Sequence, residues 1–259
     1  MFDKTALDEK GFTVAKNVLD EECLARFQDR VAALVLQEAE RHDPKLREKL
    51  SSLSSYDLCH QGLIELRNAS AEAMRRVVDT AKISSELMSV IYSPAMTEIT
   101  AEAIPGAKET GVLFSYPNFR ADLPTTFGEE HDKFALPWHQ ESGYYKTQAS
   151  ATTSLVFHMT LFDCPKEGGA VEVKPGSHLL NEVEHAVYFK DPENKRHRRV
   201  EVSDPRLNDF ETDWLETDRG DVGLFKFQLF HRSGVNQSEL VRYSLLIRAS
   251  AAGAPDLVI

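Results

Sequence analysis

The chain has 259 residues with ordinary globular composition, 42% hydrophobic and 27% charged, which fits one large domain or two small ones. Its net charge of -11 argues against nucleic acid or an anionic membrane surface as a partner. Three widely spaced cysteines, no apolar run of membrane-spanning length and no signal-peptide pattern predict a cytoplasmic protein.

The N-terminal third predicts helices. After a short β-type stretch at 11–18, Asp20 is a suitable N-cap, and apolar residues at helical spacing predict an amphipathic helix to about Arg41. Further helical patterns cover 56–92 and begin again at Pro94. No repeat or low-complexity linker follows, so we expect these helices to pack on the rest of the chain.

From about residue 110 the sequence changes to short β-type runs separated by Gly, Pro and Asp, which is typical of a sandwich or barrel. The runs that predict strands are 111–119, 152–162, a short run before Pro175-Gly176, 222–230 and 240–250. The stretch 179–219 is long, charged and poorly periodic, which predicts either a functional loop or a disordered one.

The predicted strand 152–162 has one apolar and one polar face. The polar face carries Ser154, His158 and Thr160. It either faces solvent or lines a polar cavity, and we favour the cavity.

A histidine and a carboxylate lie two residues apart in the stretch 136–141. In an extended segment His139 and Glu141 project from the same face, and such a pair supplies two of the three ligands of a 2-His-1-carboxylate iron site. Such a triplet also arises by chance, so an ordinary polar strand end explains it equally well. His231, which ends the apolar face of 222–230, is the best third ligand, although a histidine there is more often a core residue.

The final predicted strand places Arg242, Ser244, Leu246 and Arg248 on one face. A buried arginine is nearly always paired. The partner of Arg242 is either a structural carboxylate of the protein or a ligand carboxylate held bidentately. Arg248 lies about 20 Å further along an extended strand, so we expect it to contribute much less to a shared site.

Together these motifs resemble the phytanoyl-CoA dioxygenase family of Fe(II)/2-oxoglutarate oxygenases. The matching residues are Trp138-His139-Gln140-Glu141, Gly169-Ala170, Pro175-Gly176-Ser177-His178, Gly220-Asp221, and His231-Arg232-Ser233-Gly234 followed by Arg242. The offset from His231 to Arg242 is the usual one in the family. The resemblance covers most of the chain, apart from the middle of the helical third and 179–219.

The resemblance implies a mainly β fold with packed helices, built on a double-stranded β-helix of the jelly-roll, cupin-like type. We therefore expect a single dioxygenase domain over 1–259. Within it, 1–108 is mostly helical support and 109–250 is the jelly-roll core with a long loop at 179–219.

The resemblance also implies a site and its cofactors, Fe(II) and the co-substrate 2-oxoglutarate. The implied iron ligands and catalytic residues are His139, Glu141 and His231. The implied contacts of 2-oxoglutarate are Arg242, which pairs with its far carboxylate, and Gln140, Ser233 and Ser244. The expected reaction uses O2 to hydroxylate a small-molecule metabolite, with release of succinate and CO2.

One position departs from the family pattern, because Glu141 stands where the family usually has Asp. Related oxygenases accept Glu there, so the site is kept and only its fine geometry is in question. Family halogenases lack the carboxylate, so Glu141 favours hydroxylation over chlorination.

Two other classes of function remain open. One is a cupin-like metal enzyme with non-oxidative chemistry, and the other is a non-catalytic binding protein on the same fold. Ser244 following Arg242 favours 2-oxoglutarate over the first. The presence of all three ligand types disfavours the second.

The sequence identifies neither the substrate nor an oligomeric state. The stretch 132–140 looks most like family members among bacterial carbohydrate and secondary-metabolite genes. A basic cluster within 179–219 consists of Lys190, Lys195, Arg196, His197, Arg198 and Arg199. It is either a solvated, mobile loop or a lid that recognises an anionic substrate bearing a carboxylate or phosphate.

Overall fold

The computed structural model describes residues 2–128, 135–144 and 154–254, without the side chains of Tyr116, Arg196 and His197. Part of the stretch 132–140 and two side chains of the basic cluster therefore lie outside the described residues.

Helices dominate the described chain before residue 111. They are α1 (Lys4–Glu9), α2 (Glu21–His42), α3 (Pro44–Leu50), α4 (Ser55–Asp57), α5 (Leu63–Ala69), α6 (Ala71–Ala81), α7 (Ser85–Ile91), α8 (Pro94–Ala103) and α9 (Ala107–Thr110), with a π-helical turn at Leu58–Gly62. A further short helix, α10 (Glu141–Tyr144), lies beside the site described below. None of the helices in the described ranges is both long and apolar enough to cross a membrane.

The longest helix, α2, begins after Asp20 and ends before Asp43, as the capping and breaking residues of the sequence predict. The Asp20 side chain accepts a hydrogen bond from the Cys23 amide at 2.9 Å, which satisfies one of the unpaired donors of the first turn. Asp43 ends α2 in an extended conformation and caps α3, which starts with Pro44. The face of α2 that is buried carries Leu24, Phe27, Val31, Leu34 and Val35.

Ten strands form three antiparallel groups in the described chain. The strands are β1 (Phe12–Ala15), β2 (Val112–Asp122), β3 (Leu155–Thr160), β4 (Val171–Val173), β5 (His185–Asp191), β6 (Arg196–Val202), β7 (Asp213–Leu215), β8 (Val222–Lys226), β9 (His231–Arg232) and β10 (Arg242–Ala251). The sheet orders are β1-β8-β3-β10-β2, β7-β4-β9 and β5-β6.

The five-stranded sheet has two different faces. Phe157, Met159 and Ile247 belong to the large hydrophobic core that the sheet shares with the helices. On the opposite face Val156 and Phe225 pack with residues of the three-stranded sheet, namely Val171, Val173 and Leu215. Burying each such apolar side chain contributes about 1.5–3 kcal/mol. This second face, between the two sheets, also carries the polar residues of the candidate site.

Edge strand β2 is irregular opposite β10. The pairing shifts between Leu246, which faces Asn118, and Arg248, which faces Ser115. Pro117 lies inside this shift, where a missing amide hydrogen disturbs the sheet least. The irregularity therefore falls beside the strand position of Arg248.

The prediction of one long loop at 179–219 is wrong. The range contains the hairpin of β5 and β6, a 3-10 helix at Pro205–Asp209 and strand β7. Most side chains of β5 are exposed or half-buried, so the hairpin has no regular apolar face from which alternation could be recognised.

Candidate metal centre and adjoining cavities

Three side chains in the described chain form a cluster suited to a metal ion. They are His139, Glu141 and His231. One ligand atom from each lies within 4.8 Å of the others. All three are at most 3% exposed. These are the three residues that the sequence nominated.

The backbone brings the three residues together in a way the sequence pattern did not show. His139 and His231 form an isolated antiparallel bridge, with N–H···O distances of 2.9 and 3.0 Å between their main chains. Glu141 is the first residue of α10, and its amide donates to the Phe227 carbonyl at 2.9 Å. The chain thus turns after Gln140, and the pair does not share one extended strand.

Hydrogen bonds set the orientation of both imidazoles. Nδ1 of His139 lies 2.7 Å from the Pro137 carbonyl oxygen, and Nδ1 of His231 lies 2.9 Å from that of Leu229. A carbonyl only accepts, so each Nδ1 carries the hydrogen. In the neutral form of each ring, Nε2 then keeps its lone pair, as in a metal-ligating histidine.

The protonation states also suit metal binding. Burial, and then the neighbouring His231, lower the pKa of His139 to about 3, so its ring is neutral at pH 7. Burial alone would raise the pKa of Glu141, but Arg248 and the two histidines hold it well below its ordinary value. At neutral pH the cluster therefore offers the neutral imidazole of His139 and the ionised carboxylate of Glu141.

A cavity of about 140 Å³ adjoins the cluster between the two sheets. Its polar lining includes Asn118, Arg120, His158, Ser233, Arg242, Ser244 and Arg248. The residues from β10 are those that the sequence placed on one strand face.

Arg242 has a structural carboxylate as its partner. Its Nε and one terminal nitrogen donate to Asp122 Oδ2 at 3.2 and 2.6 Å, and the other terminal nitrogen donates to the Gly169 carbonyl. Arg120 donates to Asp122 Oδ1 at 2.7 Å. Burial would raise the pKa of Asp122, but the two guanidinium groups hold it well below its ordinary value. Two cations thus share one buried anion at this end of the cavity.

The polar face of β3 is divided between the cavity and the protein interior. His158 lines the cavity and is 1% exposed, as the cavity alternative predicted. Burial, followed by Arg242 and Arg120, lowers its pKa to about 3. Within the described residues its Nδ1 has no hydrogen-bond partner. Thr160 instead contacts Thr217, with 3.0 Å between their hydroxyl oxygens.

The other predicted contacts of 2-oxoglutarate differ in position. Ser233 and Ser244 line the cavity, and the Ser233 hydroxyl also accepts from the Leu136 amide at 3.0 Å. Gln140 is fully buried outside that lining. Its side-chain amide donates to two carbonyls, at residues 181 and 228, and accepts from the Val183 amide. Contrary to the prediction, Gln140 therefore has a structural role away from the cavity.

The sequence pattern predicted too small a role for Arg248 and did not indicate Asp122 or Arg120. Arg248 lines the same cavity as Arg242 and reaches Glu141, because the cavity runs along β10 and not across it. The same-face pattern of β10 was the available signal for Arg248. For Asp122 the only signal was the demand of a buried arginine for a partner, which does not say where that partner is.

A second cavity of about 430 Å³ lies under the hairpin of β5 and β6. It is lined by Gly143, Tyr144, Val183, Glu184, His185, Val187, Arg198 and Val200. Tyr144 lines both cavities and accepts a hydrogen bond from the Val200 amide at 3.0 Å. The Arg198 guanidinium lies 5.8 Å from the centre of the Tyr144 ring. The second cavity thus adjoins the first through one aromatic side chain.

Solved structures that share the fold of this chain include SnoN, AviO1 and EvdO2. The epimerase SnoN from nogalamycin biosynthesis, in complex with Fe3+, alpha ketoglutarate and nogalamycin RO, has a TM-score of 0.60 at 14% identity, over 96% of this chain and 82% of that one. AviO1 from Streptomyces viridochromogenes Tue57 has a TM-score of 0.56 at 18% identity, over 98% and 96% of the two chains. EvdO2 from Micromonospora carbonacea var. aurantiaca, complexed with 2-oxoglutarate, has a TM-score of 0.55 at 15% identity, over 98% and 93%.

At such low identity these structures establish likeness of fold alone, and no curated protein matches the sequence. The sequence model of one family, however, matches residues 7–244, a span that contains the three clustered ligand residues and Arg242. Because that match extends over most of the chain, the protein belongs to the phytanoyl-CoA dioxygenase family.

Proposed function

We propose that this protein is an Fe(II)- and 2-oxoglutarate-dependent dioxygenase that hydroxylates a small-molecule metabolite. The observation that carries the proposal is the buried cluster of His139, Glu141 and His231, whose nitrogen and oxygen donors match the facial triad of non-haem iron oxygenases. Family membership supports the same chemistry. So do the ligands described for SnoN and EvdO2.

We also propose a single jelly-roll domain with helices on one sheet. The packing of the five-stranded sheet on the three-stranded sheet supports it, as does the position of the metal cluster between them. In this arrangement the helices cover the outer face of the larger sheet and keep water from the core.

Each residue of the cluster has a defined task in this proposal. Nε2 of His139 and Nε2 of His231 would bind Fe(II), and Glu141 would offset part of its charge. Bound iron and 2-oxoglutarate would supply the chemistry, in which oxidative decarboxylation to succinate and CO2 activates O2 for substrate hydroxylation. The protein's part is to orient both substrates and to exclude side reactions.

The far carboxylate of 2-oxoglutarate would lie at the end of the cavity formed by Arg242 and Arg120. Arg242 and Arg120 both line the cavity and both donate to Asp122, and a guanidinium group can also hold a ligand carboxylate. Hydroxyls of Ser233 and Ser244 and the ring of His158 line the same space and offer further hydrogen bonds.

The test is anaerobic addition of Fe(II) and then 2-oxoglutarate to the purified protein. We expect a visible metal-to-ligand charge-transfer band and, with O2 and a substrate, one hydroxylated product per succinate. Glu141→Ala should lose the band and the product. A wild-type protein without the band would favour the non-oxidative or binding alternatives. A product of unchanged mass would point to epimerisation, the reaction in SnoN's description.

We further propose that the second cavity receives an organic anion as the substrate. Its volume of about 430 Å³ falls in the usual range for ligand pockets, roughly 300–1,000 Å³, whereas the first cavity is smaller. Tyr144 and three valines provide apolar walls, and Arg198 provides a cation at the rim. The lining also holds Glu184, but Arg198 belongs to the basic cluster between Lys190 and Arg199, and in a chain of net charge -11 such a local basic cluster favours a carboxylate or phosphate.

Arg198→Gln tests the nature of the substrate. Once a succinate-release screen across metabolite classes has found a substrate, we expect its KM to rise about tenfold, the equivalent of about 1.4 kcal/mol. The effect should shrink at high ionic strength, because Arg198 is exposed. Arg206→Gln, at an exposed arginine paired with Asp204 outside both cavities, is the control. An unchanged KM for Arg198→Gln at low salt would contradict an anionic substrate.

A further inference from the structure

The two oxygens of Glu141 have different partners. Oε1 accepts from Arg248, with 2.7 Å to Nε and 2.5 Å to a terminal nitrogen. Oε2 lies 3.4 Å from Nε2 of His231, which is another residue of the metal cluster. The side chains of Arg248 and Glu141 are 6% and 2% exposed, so water does not compete for this contact.

This division matters because a carboxylate can bind a metal through one oxygen or both. Glutamate has one more rotatable bond than aspartate, and that freedom makes chelation by both oxygens easier to reach. A chelating carboxylate would occupy a fourth coordination position and leave two open instead of three. The proposed reaction needs three open positions.

We infer that Arg248 is a positioning residue that holds Glu141 to one coordination position, through Oε2. The inference rests on the proposed function, because it assumes that the cluster binds a metal. A guanidinium presents a rigid fork of donors, so it fixes both the place and the rotation of the carboxylate. Arg248 itself is fixed on β10, between β3 and β2, opposite Val156 and Ser115.

The test compares Co(II) binding by the metal-free wild type, Arg248→Met and Arg248→Lys. Calorimetry gives the affinity, and the intensity of the Co(II) ligand-field bands reports coordination number. We expect Arg248→Met to lower the affinity at least tenfold and to change band intensity, because Glu141 is then free to rotate and chelate. Arg248→Lys keeps the charge without the fork, so it should recover most of the affinity and only part of the wild-type spectrum.

Arg76→Met is the matched control. Arg76 also donates to a buried carboxylate, with 2.7 Å from its Nε to Glu38 Oε2, but among the helices and outside both cavities. It should leave affinity and spectrum unchanged, and near-UV circular dichroism checks that each variant is folded. Identical binding and spectra for wild type and both Arg248 variants would overturn the inference. Failure of the wild type to bind Co(II) would instead overturn the proposed function.

Discussion

The carboxylate of Asp122 explains why a buried arginine, Arg242, is tolerated on β10. Arg242 is almost fully buried, and an unpaired charge at such a place would be very costly. Asp122 offsets much of that cost, and it also accepts a hydrogen bond from Arg120. Both guanidinium groups at this end of the cavity are therefore held in place before any ligand binds.

Arg242→Ala should raise the 2-oxoglutarate requirement far more than the iron requirement. Losing one side of a buried charge pair costs about 2–5 kcal/mol, or roughly 30- to several-thousand-fold in affinity. Asp122 keeps Arg120 as a partner, so the variant should fold. Titrations of the charge-transfer band with 2-oxoglutarate and with Fe(II) measure the two requirements. Arg75→Ala, at an exposed arginine of α6, is the control, and equal shifts in the two variants would contradict the role of Arg242.

At the scale of single residues, the sequence predicted the metal ligands but not their surroundings. His139, Glu141 and His231 could be nominated because ligand chemistry restricts the residue types and the motif fixes their order. Gln140 and Arg248 were misjudged because their roles depend on how the chain turns after residue 140. That turn is set by tertiary hydrogen bonds to residues 227 and 231, which local pattern does not encode.

At the scale of elements, the segment after β9 must pass very close to the backbone before β4. A Cβ on Gly234 would lie 1.9 Å from the Ala170 carbonyl oxygen and 2.7 Å from that of Gly169. The Gly169 oxygen also accepts a hydrogen bond from Arg242. The close approach at Gly234 therefore fixes one partner of the arginine as well as the spacing of two strands.

Gly234→Ala should destabilise the protein and weaken 2-oxoglutarate binding together. Inserting a methyl group into a packed site costs about 1–3 kcal/mol, and relief requires moving Gly169 and Ala170. Urea unfolding gives the change in free energy. Gly62→Ala is the control, because its Cβ would first meet the flexible Leu58 side chain at 3.2 Å. Wild-type stability in Gly234→Ala would contradict a close approach of Gly234 to the carbonyl oxygens of Gly169 and Ala170.

The long, periodic elements were predictable, and the short, exposed ones were not. Helix α2 and strands β3 and β10 have one clearly apolar face, so periodicity located them. Strand β5 lacks such a face, and its pairing with β6 had no sequence signal. The hairpin of β5 and β6 over the second cavity is thus the element that the sequence did not predict.

At the scale of the whole molecule, buried neutral histidines link stability to pH. His60 is 3% exposed, and its Nδ1 accepts from the Val241 amide at 3.2 Å. Burial lowers the pKa of His60 to about 4. The unfolded chain, with an ordinary histidine pKa near 6.5, therefore binds a proton that the native state does not. The contribution of the neutral His60 ring to the free energy of unfolding is therefore complete above about pH 6.5, and it is lost as the pH falls toward 4.

The free energy of unfolding should consequently fall by about 1–2 kcal/mol between pH 7 and pH 5 through His60 alone. His60→Gln should reduce the pH dependence by that amount, whatever it does to stability at pH 7. The measurement is urea unfolding of the metal-free protein across this range. His42→Gln, at an exposed histidine, should keep the wild-type slope. Parallel slopes for wild type and His60→Gln would contradict a neutral buried ring.

The strand order of the larger sheet has a consequence for how the protein is made. Strand β10 lies between β3 and β2, and β8 lies between β1 and β3, so the two latest strands join the three earliest. As a ribosome releases the chain from its N-terminus, helices α2 to α8 can pack early. Strands β2 and β3 have no neighbouring strand to pair with until β8 and β10 have been made. His231 on β9 is made after β8, and Arg248 on β10 is made later still, so these residues can join His139 and Glu141 only after most of the chain has been made. All three residues of the cluster can therefore hold a metal ion together only at this late stage of synthesis.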